Sequence, residues 1–263
     1  MPFFQCDKTK IHYVDIDRRE DKSAGLPLFF IHGGGSYHFC WALQLIEFSK
    51  TNRCIAIDLS GHGKSDVAKG DTTIDQGYSN EIASLVGHLD LNDFILVGHS
   101  MGGGVAMSYV LNNEFKNPKA LVLVDSSPDL RLPKVAPGLV REAVEETIRR
   151  KHPAFDEYAE KINMKQYKKA MKYLDSIAMQ RDLRACNKFN ITDRIKDITI
   201  PTFALVGEAD DVITPAIVKN YIEDIPYADL AVVRGADHIP MIEQPEEFNR
   251  LFRKFISWVQ DKA

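Results

Sequence analysis

Long apolar runs are missing from this sequence of 263 residues. No stretch approaches the roughly 20 consecutive apolar residues that a membrane-spanning helix needs. The amino-terminal segment MPFFQCD has no basic region followed by a long apolar stretch, which a secretory signal peptide would show. We therefore expect a cytoplasmic protein without a membrane span.

An excess of positive charge and a cysteine motif are missing too. The sequence has 33 Lys and Arg against 37 Asp and Glu, a formal net charge of −4, which argues against a nucleic-acid partner. Neither a GxGxxG segment nor a P-loop spacing is present, which argues against nucleotide phosphates. The four cysteines show neither CxxC nor metal-ligand spacing, so we expect reduced thiols at Cys6, Cys40, Cys54 and Cys186.

What the sequence does contain is an alternation of apolar strands with amphipathic helices. Its length suits one α/β domain with an inserted subdomain. A predicted hairpin over residues 3–16 comes first, and its half-exposed second strand is expected to be decorated by His12. The pattern predicts a mostly parallel central sheet flanked by helices, with a site at the carboxyl ends of the strands. The apolar runs are residues 26–31, 54–57, 94–97, 120–124, 202–206 and 230–233.

This alternation stops over residues 128–190. The segment opens with prolines and continues with apolar residues at helical spacing, without a strand-like run. We interpret it as an all-helical cap, or lid, inserted over the site. The core domain would then consist of residues 1–127 and 191–263.

The segment GHSMG (residues 98–102) carries the clearest chemical signal. It lies between an apolar run and a helical pattern, the context of a G-x-S-x-G nucleophile elbow. A sharp turn there would project the Ser100 hydroxyl and leave no room for a Cβ atom at Gly98 or Gly102. The following helix would offer free N–H groups to a developing oxyanion. We expect His99 to pack beside the site rather than act as a base.

A second signal is the segment HGGGS (residues 32–36), which follows the buried run at residues 26–31. Glycines there let the backbone approach a reacting centre closely. An oxyanion hole needs a backbone N–H from a loop at this place, and Gly34 would supply it beside the Met101 N–H. His32 is expected to be a structural hydrogen bonder of this loop.

Taken together, these motifs resemble those of the α/β-hydrolase superfamily, in particular its serine carboxylesterase-like members with a helical cap. The chain order of Ser100, an aspartate and His238 matches the superfamily order. The resemblance implies Ser100 as nucleophile, His238 as general base and then acid, and a carboxylate that orients the imidazole. It implies no metal and no organic cofactor.

The position of the catalytic acid is open between two neighbours. In the superfamily the acid usually lies three residues after the strand-ending glycine, which indicates Asp210. It also usually lies four residues before the proline, which indicates Asp211 as the alternative acid. Because a strand end fixes geometry more rigidly than a loop does, we favour Asp210. Asp125, after the strand that follows the elbow, is a third candidate, since some members use that place.

The function predicted from these residues is hydrolysis of a small-molecule carboxylic ester through an acyl-enzyme intermediate. A C–C bond hydrolase or a lactonase with the same three residues is the alternative. A non-catalytic binding protein on this fold is a further alternative, although such proteins often lose one of the three residues. The serine at the elbow argues against the haloalkane dehalogenases and epoxide hydrolases of the superfamily, which use aspartate there. Neither the acyl length nor the oligomeric state follows from the sequence.

Overall fold

The computed structural model describes residues 2–70, 72–131 and 176–262. Eight strands form one sheet with the spatial order β1-β2-β4-β3-β5-β6-β7-β8. β2 pairs antiparallel with β1 and with β4, and every other neighbouring pair is parallel. The predicted mostly parallel sheet is therefore confirmed. The strands are β1 (Phe3–Cys6), β2 (Thr9–Ile16), β3 (Leu28–Ile31), β4 (Cys54–Ile57), β5 (Ile95–His99), β6 (Ala120–Val124), β7 (Thr202–Gly207) and β8 (Ala228–Val233).

Helices connect the strands and cover both faces of the sheet. A 3₁₀ helix spans His38–Trp41, a π-helical turn spans Ile74–Tyr78, and a second 3₁₀ helix spans Thr192–Asp197. No helix in the described ranges is long and apolar enough to cross a bilayer. The α-helices, numbered within those ranges, are α1 (Ala42–Phe48), α2 (Ser79–His88), α3 (Met101–Val110), α4 (Ser176–Cys186), α5 (Pro215–Ile222), α6 (Pro240–Glu243) and α7 (Pro245–Gln260).

The core consists of two apolar layers, one on each face of the sheet. Because successive side chains of a strand point to opposite faces, Phe29 and Ile31 of β3 join one layer and Leu28 and Phe30 join the other. Residues of α2, α3 and α5 complete the first layer, and residues of α1 and α7 complete the second. Strands buried on both faces explain why the sequence shows continuous apolar runs rather than alternation.

Most of the predicted cap, residues 132–175, lies outside the described residues. At its base, Asp129 and Asn190 form an isolated antiparallel bridge. The Leu130 amide donates to the Phe189 carbonyl at 3.3 Å, and the Ile191 amide donates to the Pro128 carbonyl at 2.9 Å. The chain therefore leaves the sheet and returns to it at adjacent points.

The expectation that His12 decorates a half-exposed strand is wrong. Residues 11–14 of β2 are all buried, and His12 is completely inaccessible. Its Nδ1 lies 2.7 Å from Oδ2 of Asp58, and its ring packs against His38. The loop after β4 and the 3₁₀ helix thus cover a face that the sequence pattern assigns to solvent.

Candidate active site

Ser100 occupies a strained turn between β5 and α3. Its φ of 51° and ψ of −119° lie where a residue with a Cβ atom is rarely found. Its amide donates to the Val124 carbonyl at 2.8 Å, and its carbonyl accepts from Oγ of Ser126 at 2.7 Å. The end of β6 therefore holds the turn in a conformation that would otherwise relax.

The two glycines of the elbow are required by close backbone contacts. A Cβ atom at Gly98 would lie 2.2 Å from the Gly102 carbonyl oxygen. One at Gly102 would lie 2.4 Å from the His32 carbonyl oxygen and 2.7 Å from that of Ile31. Both observations agree with the crowding that the G-x-S-x-G spacing predicts, and they place the loop after β3 directly against the elbow.

The structure brings Ser100, His238 and Asp210 together from three loops. Nε2 of His238 lies 3.1 Å from Oγ of Ser100, and its Nδ1 lies 2.8 Å from Oδ2 of Asp210. An ionised carboxylate only accepts, so Nδ1 carries the proton and Nε2 is left to accept the serine hydrogen. The arrangement can remove the proton from Ser100 as the oxygen attacks.

Asp210 is held in its charged form by its neighbours. Burial opposes ionisation, but the hydrogen bond from His238 and its electrostatic attraction lower the pKa of Asp210 below its ordinary value. Its other oxygen, Oδ1, accepts the amides of Val212 and Ile213 at 2.8 and 2.9 Å. Asp211, the alternative acid of the sequence analysis, is exposed, and it is Asp210 that bonds to His238.

Asp125 lies buried behind Asp210. Its Oδ1 accepts the Gly207 amide at 2.8 Å, and burial together with the nearby Asp210 raises the pKa of Asp125 well above its ordinary value. A neutral carboxyl stabilises an imidazolium less than a charged one does. Asp210, whose Oδ2 lies 2.8 Å from Nδ1 of His238, is thus favoured over Asp125 as the partner of His238.

Two amides near the elbow are candidates for an oxyanion hole. The Gly34 and Met101 amides donate no hydrogen bond to any residue in the described ranges. Gly33, one residue before Gly34, is packed so tightly that an added Cβ would lie 3.2 Å from Cβ of Ser100. N–H groups without an acceptor in the described ranges are available to bind the negative charge of a tetrahedral intermediate.

The histidines within the two motifs, His99 and His32, are neutral structural groups. Burial, followed by proximity to His238, lowers the pKa of His99 to about 3, so its Nε2 donates to the His238 carbonyl at 2.7 Å. Burial likewise lowers the pKa of His32 to about 4. His32 accepts the Leu59 amide at 3.1 Å and donates from Nδ1 to the Gly33 carbonyl at 2.8 Å. Both therefore orient backbone rather than transfer protons.

A cluster of metal-ligating residue types, His12, His38 and Asp58, lies apart from these residues. The two Nδ1 atoms lie 2.7 and 2.6 Å from the Asp58 oxygens, closer than the roughly 3.3 Å between two ligands of a tetrahedral zinc ion. The carboxylate also accepts the amides of His38 and Lys64, at 2.8 and 3.0 Å. These contacts make the cluster a hydrogen-bonded support for the loop after β4.

Sequence reasoning missed Asp182 of α4. Its Oδ2 accepts the Gly35 amide at 2.7 Å, which brings it next to the predicted oxyanion loop. The two residues are 147 positions apart, so no local pattern reveals the contact.

Comparisons with known proteins identify the family of this chain. The sequence model of the Alpha/beta hydrolase family matches residues 28–251. A 3-oxoadipate enol-lactonase of Acinetobacter baylyi is 24% identical, over 96% of this chain and 100% of that protein. The non-heme chloroperoxidase CPO-A1 of Kitasatospora aureofaciens is 28% identical, over 90% of this chain and 94% of that one.

Among solved structures, a thermophilic esterase from Thermogutta terrifontis is similar in fold. The match has a TM-score of 0.74 and 25% identity, and it covers 96% of this chain and 94% of the esterase. The similarity in fold therefore extends over nearly the whole length of both chains.

Proposed function

Because the chain belongs to the alpha/beta hydrolase family, we propose that it is a serine carboxylesterase that works through an acyl-enzyme. The observation that carries the proposal is the chain of hydrogen bonds from Asp210 through His238 to Ser100, at 2.8 and 3.1 Å. The similar esterase and enol-lactonase support it, since both names describe cleavage of an ester bond.

In the proposed reaction, Oγ of Ser100 attacks the ester carbonyl carbon while Nε2 of His238 takes its proton. The negative carbonyl oxygen is bound by the amides of Gly34 and Met101. The intermediate then collapses, the C–O bond to the alcohol breaks, and His238 returns the proton to the leaving oxygen. Water deprotonated by His238 releases the acid and restores Ser100.

A burst experiment tests this proposal. Mixing the protein with a p-nitrophenyl ester of a short acid should release about one equivalent of nitrophenolate rapidly, before slower steady turnover. Ser100→Ala should remove the burst and lower turnover on the order of 10⁶-fold. Ser108→Ala is the matched control, because Ser108 is a buried serine of α3 whose hydroxyl bonds to no described residue. Absence of hydrolysis across a series of acyl lengths would contradict the proposal.

Lactone hydrolysis is the second candidate, and the enol-lactonase that matches across its full length supports it. A lactone is a cyclic ester, so the same groups would open it without a separate leaving alcohol. Comparing kcat/KM for an enol-lactone and for open-chain esters distinguishes the two. A 1,3-diketone in the same series tests the C–C bond alternative, and labelling of Ser100 by a fluorophosphonate tests the non-catalytic one.

A further inference from the structure

Asp182 of α4 is a buried carboxylate that joins three segments of the core domain. Its Oδ2 accepts the Gly35 amide at 2.7 Å and Nε2 of His62 at 2.8 Å. Its Oδ1 accepts the Tyr78 hydroxyl at 2.7 Å. The three donors come from the loop after β3, the loop after β4 and the π-helical turn. One side chain from the end of the predicted cap thus fixes the loop that carries Gly34.

His62 must be an imidazolium in this arrangement. Its Nε2 faces the Asp182 carboxylate, and its Nδ1 lies 3.1 Å from the carbonyl oxygen of Ser60. Neither acceptor has a proton to offer, so both ring nitrogens donate and the ring is charged. Burial opposes the cation, but the Asp182 charge raises the pKa of His62 above its ordinary value. The same pairing lowers the pKa of Asp182, against the effect of burial.

The other titratable groups around His62 are compatible with its charge. Glu81 of α2 accepts the Ser60 amide at 2.9 Å, and although burial raises its pKa to about 6, it is mostly ionised at pH 7. The His32 ring, 4.8 Å away, is neutral. The Tyr78 hydroxyl donates to Asp182, and burial raises its pKa further.

We propose that Asp182, paired with His62, is a positioning residue that holds the Gly34 amide where the oxyanion forms. This rests on the proposed function, which makes Gly34 an oxyanion donor. A Cβ atom at Gly34 would lie 3.5 Å from Oδ2 of Asp182, so the carboxylate packs directly on that residue. Holding the Gly35 N–H fixes the peptide plane between Gly34 and Gly35, so the Gly34 amide can reorient only by rotation about the two backbone bonds of Gly34.

The charge of Asp182 strengthens its hydrogen bond with the Gly35 amide. Hydrogen bonds to an ionised carboxylate are shorter and about twice as strong as neutral ones. Oxyanion stabilisation depends on donors that are already aimed before the charge develops, so a loosened loop affects the transition state more than substrate binding. The expected consequence is a change in kcat with little change in KM.

The kinetic test compares Asp182→Asn with Asp193→Asn, a matched change at an exposed aspartate of the 3₁₀ helix after α4. Asp182→Asn should lower kcat on the order of 10- to 100-fold, less than removal of a donor, with KM within about threefold. Asp193→Asn should have the same kcat and KM as the wild-type protein. A folded Asp182→Asn protein whose kcat stays within threefold of wild type overturns the proposal, as does a loss that lies only in KM.

Tyr78→Phe provides a second variant if Asp182→Asn does not fold. It removes one hydrogen bond from Oδ1 of Asp182 and leaves the Gly35 and His62 contacts in place. A several-fold loss of kcat at unchanged KM is expected. Unchanged kcat in this variant contradicts the proposal in that case.

Nuclear magnetic resonance of ¹⁵N-histidine-labelled protein tests the pair without any turnover. At pH 7 both ring nitrogens of His62 should be protonated, in wild type and in Ser100→Ala alike. A neutral His62 ring overturns the proposal whatever the kinetics. If the wild-type protein hydrolyses no ester, the proposed function itself fails. If it does, and Asp182→Asn turns over normally, only the role of Asp182 fails.

Discussion

At the scale of single residues, the structure separates two neighbouring carboxylates that the sequence leaves open. Asp210 is buried and bonds to His238, whereas Asp211 is exposed. We predict that Asp210→Asn lowers kcat on the order of 10⁴-fold, because an amide favours the wrong imidazole tautomer. Asp211→Asn should stay within about threefold of wild type. Steady-state hydrolysis of a p-nitrophenyl ester measures both, and a larger loss in Asp211→Asn would reverse the assignment.

A single methyl group at the elbow should be equally informative. Gly102→Ala places a Cβ atom 2.4 Å from the His32 carbonyl oxygen, a backbone atom that cannot rotate away. We expect a loss of about 1–3 kcal/mol in the free energy of unfolding and at least a tenfold fall in kcat, since the elbow and the oxyanion loop must separate.

Gly87→Ala is the control for this substitution. A Cβ atom at this helical glycine of α2 would meet nothing within 4 Å. Alanine should therefore add stability, up to about 0.5–1 kcal/mol, because Gly87 lies in the last turn of the helix. Urea unfolding of the two variants beside the wild-type protein makes the comparison. An unchanged Gly102→Ala protein would show that the elbow tolerates the side chain.

The sequence predicts those residues whose chemistry lies in a short motif or at a strand end. Ser100, Gly34 and His238 are recognised in this way, because each follows an apolar run. Asp182 and His62 meet across 120 positions, and His12 meets Asp58 across 46. Contacts of this kind depend on which loops pack together in three dimensions. The sequence pattern therefore wrongly places His12 on a half-exposed strand, and it does not indicate the pairing of Asp182 with His62.

At the scale of elements, the loop after β4 is held mainly by one carboxylate. Asp58 is fully buried and accepts from two imidazole rings and two amides. We predict that Asp58→Asn lowers the free energy of unfolding by about 3 kcal/mol, because an amide NH₂ would face donors. Urea denaturation measures this, with Asp66→Asn as the exposed control in the same loop region. Equal stability of the two variants would contradict it.

The strands themselves were predictable, but their ends were not. Apolar composition locates β5 at residues 94–97, whereas the strand runs from Ile95 to His99. It extends because Gly98 and His99 pair with Leu123 and Val124 of β6. β8 likewise starts at Ala228, where pairing with Thr202 begins. A strand ends where its neighbour stops offering partners, and that information is not local in sequence.

At the scale of the whole molecule, Glu243 links folding to pH. Burial raises its pKa from 4.5 to about 7. A carboxyl whose pKa is higher in the folded than in the unfolded protein stabilises the fold at pH values below the pKa of the unfolded state. This contribution is lost as the pH rises through the folded-state pKa of about 7. Glu243→Gln removes the charge but keeps an oxygen for the Asp237 amide. We predict that the free energy of unfolding of Glu243→Gln, relative to that of the wild-type protein, rises by roughly 3 kcal/mol between pH 4.5 and 8.

Thermal or urea unfolding at several pH values measures this shift. Glu246→Gln is the matched control, because Glu246 is an exposed residue of the first turn of α7. The difference in free energy of unfolding between Glu246→Gln and the wild-type protein should be the same at every pH. A Glu243→Gln profile parallel to the wild-type profile would mean that Glu243 titrates in the fold as it does in the unfolded chain.

The fold class follows from the alternation of strands and helices, but the order of the strands does not. β3 lies between β4 and β5, although β4 follows it in the chain. Two strands of similar apolar composition can exchange places without changing any local pattern. Their order depends on how helices of the two layers pack on the finished sheet, which periodicity does not reveal.

The bridge between Asp129 and Asn190 has a consequence for recombination among related chains. The segment between these two residues begins and ends at one bonded pair, so it can be exchanged as a cassette without changing the pairing register of the eight strands. Leu130 and Phe189 belong to the apolar layer beneath and should be retained. The joints of such a graft therefore lie after Leu130 and before Phe189. Because Asp182 belongs to the exchanged piece, a donor cassette must bring its own anion for His62. On the proposal made for Asp182, the grafted segment would then bring its own setting of the loop after β3.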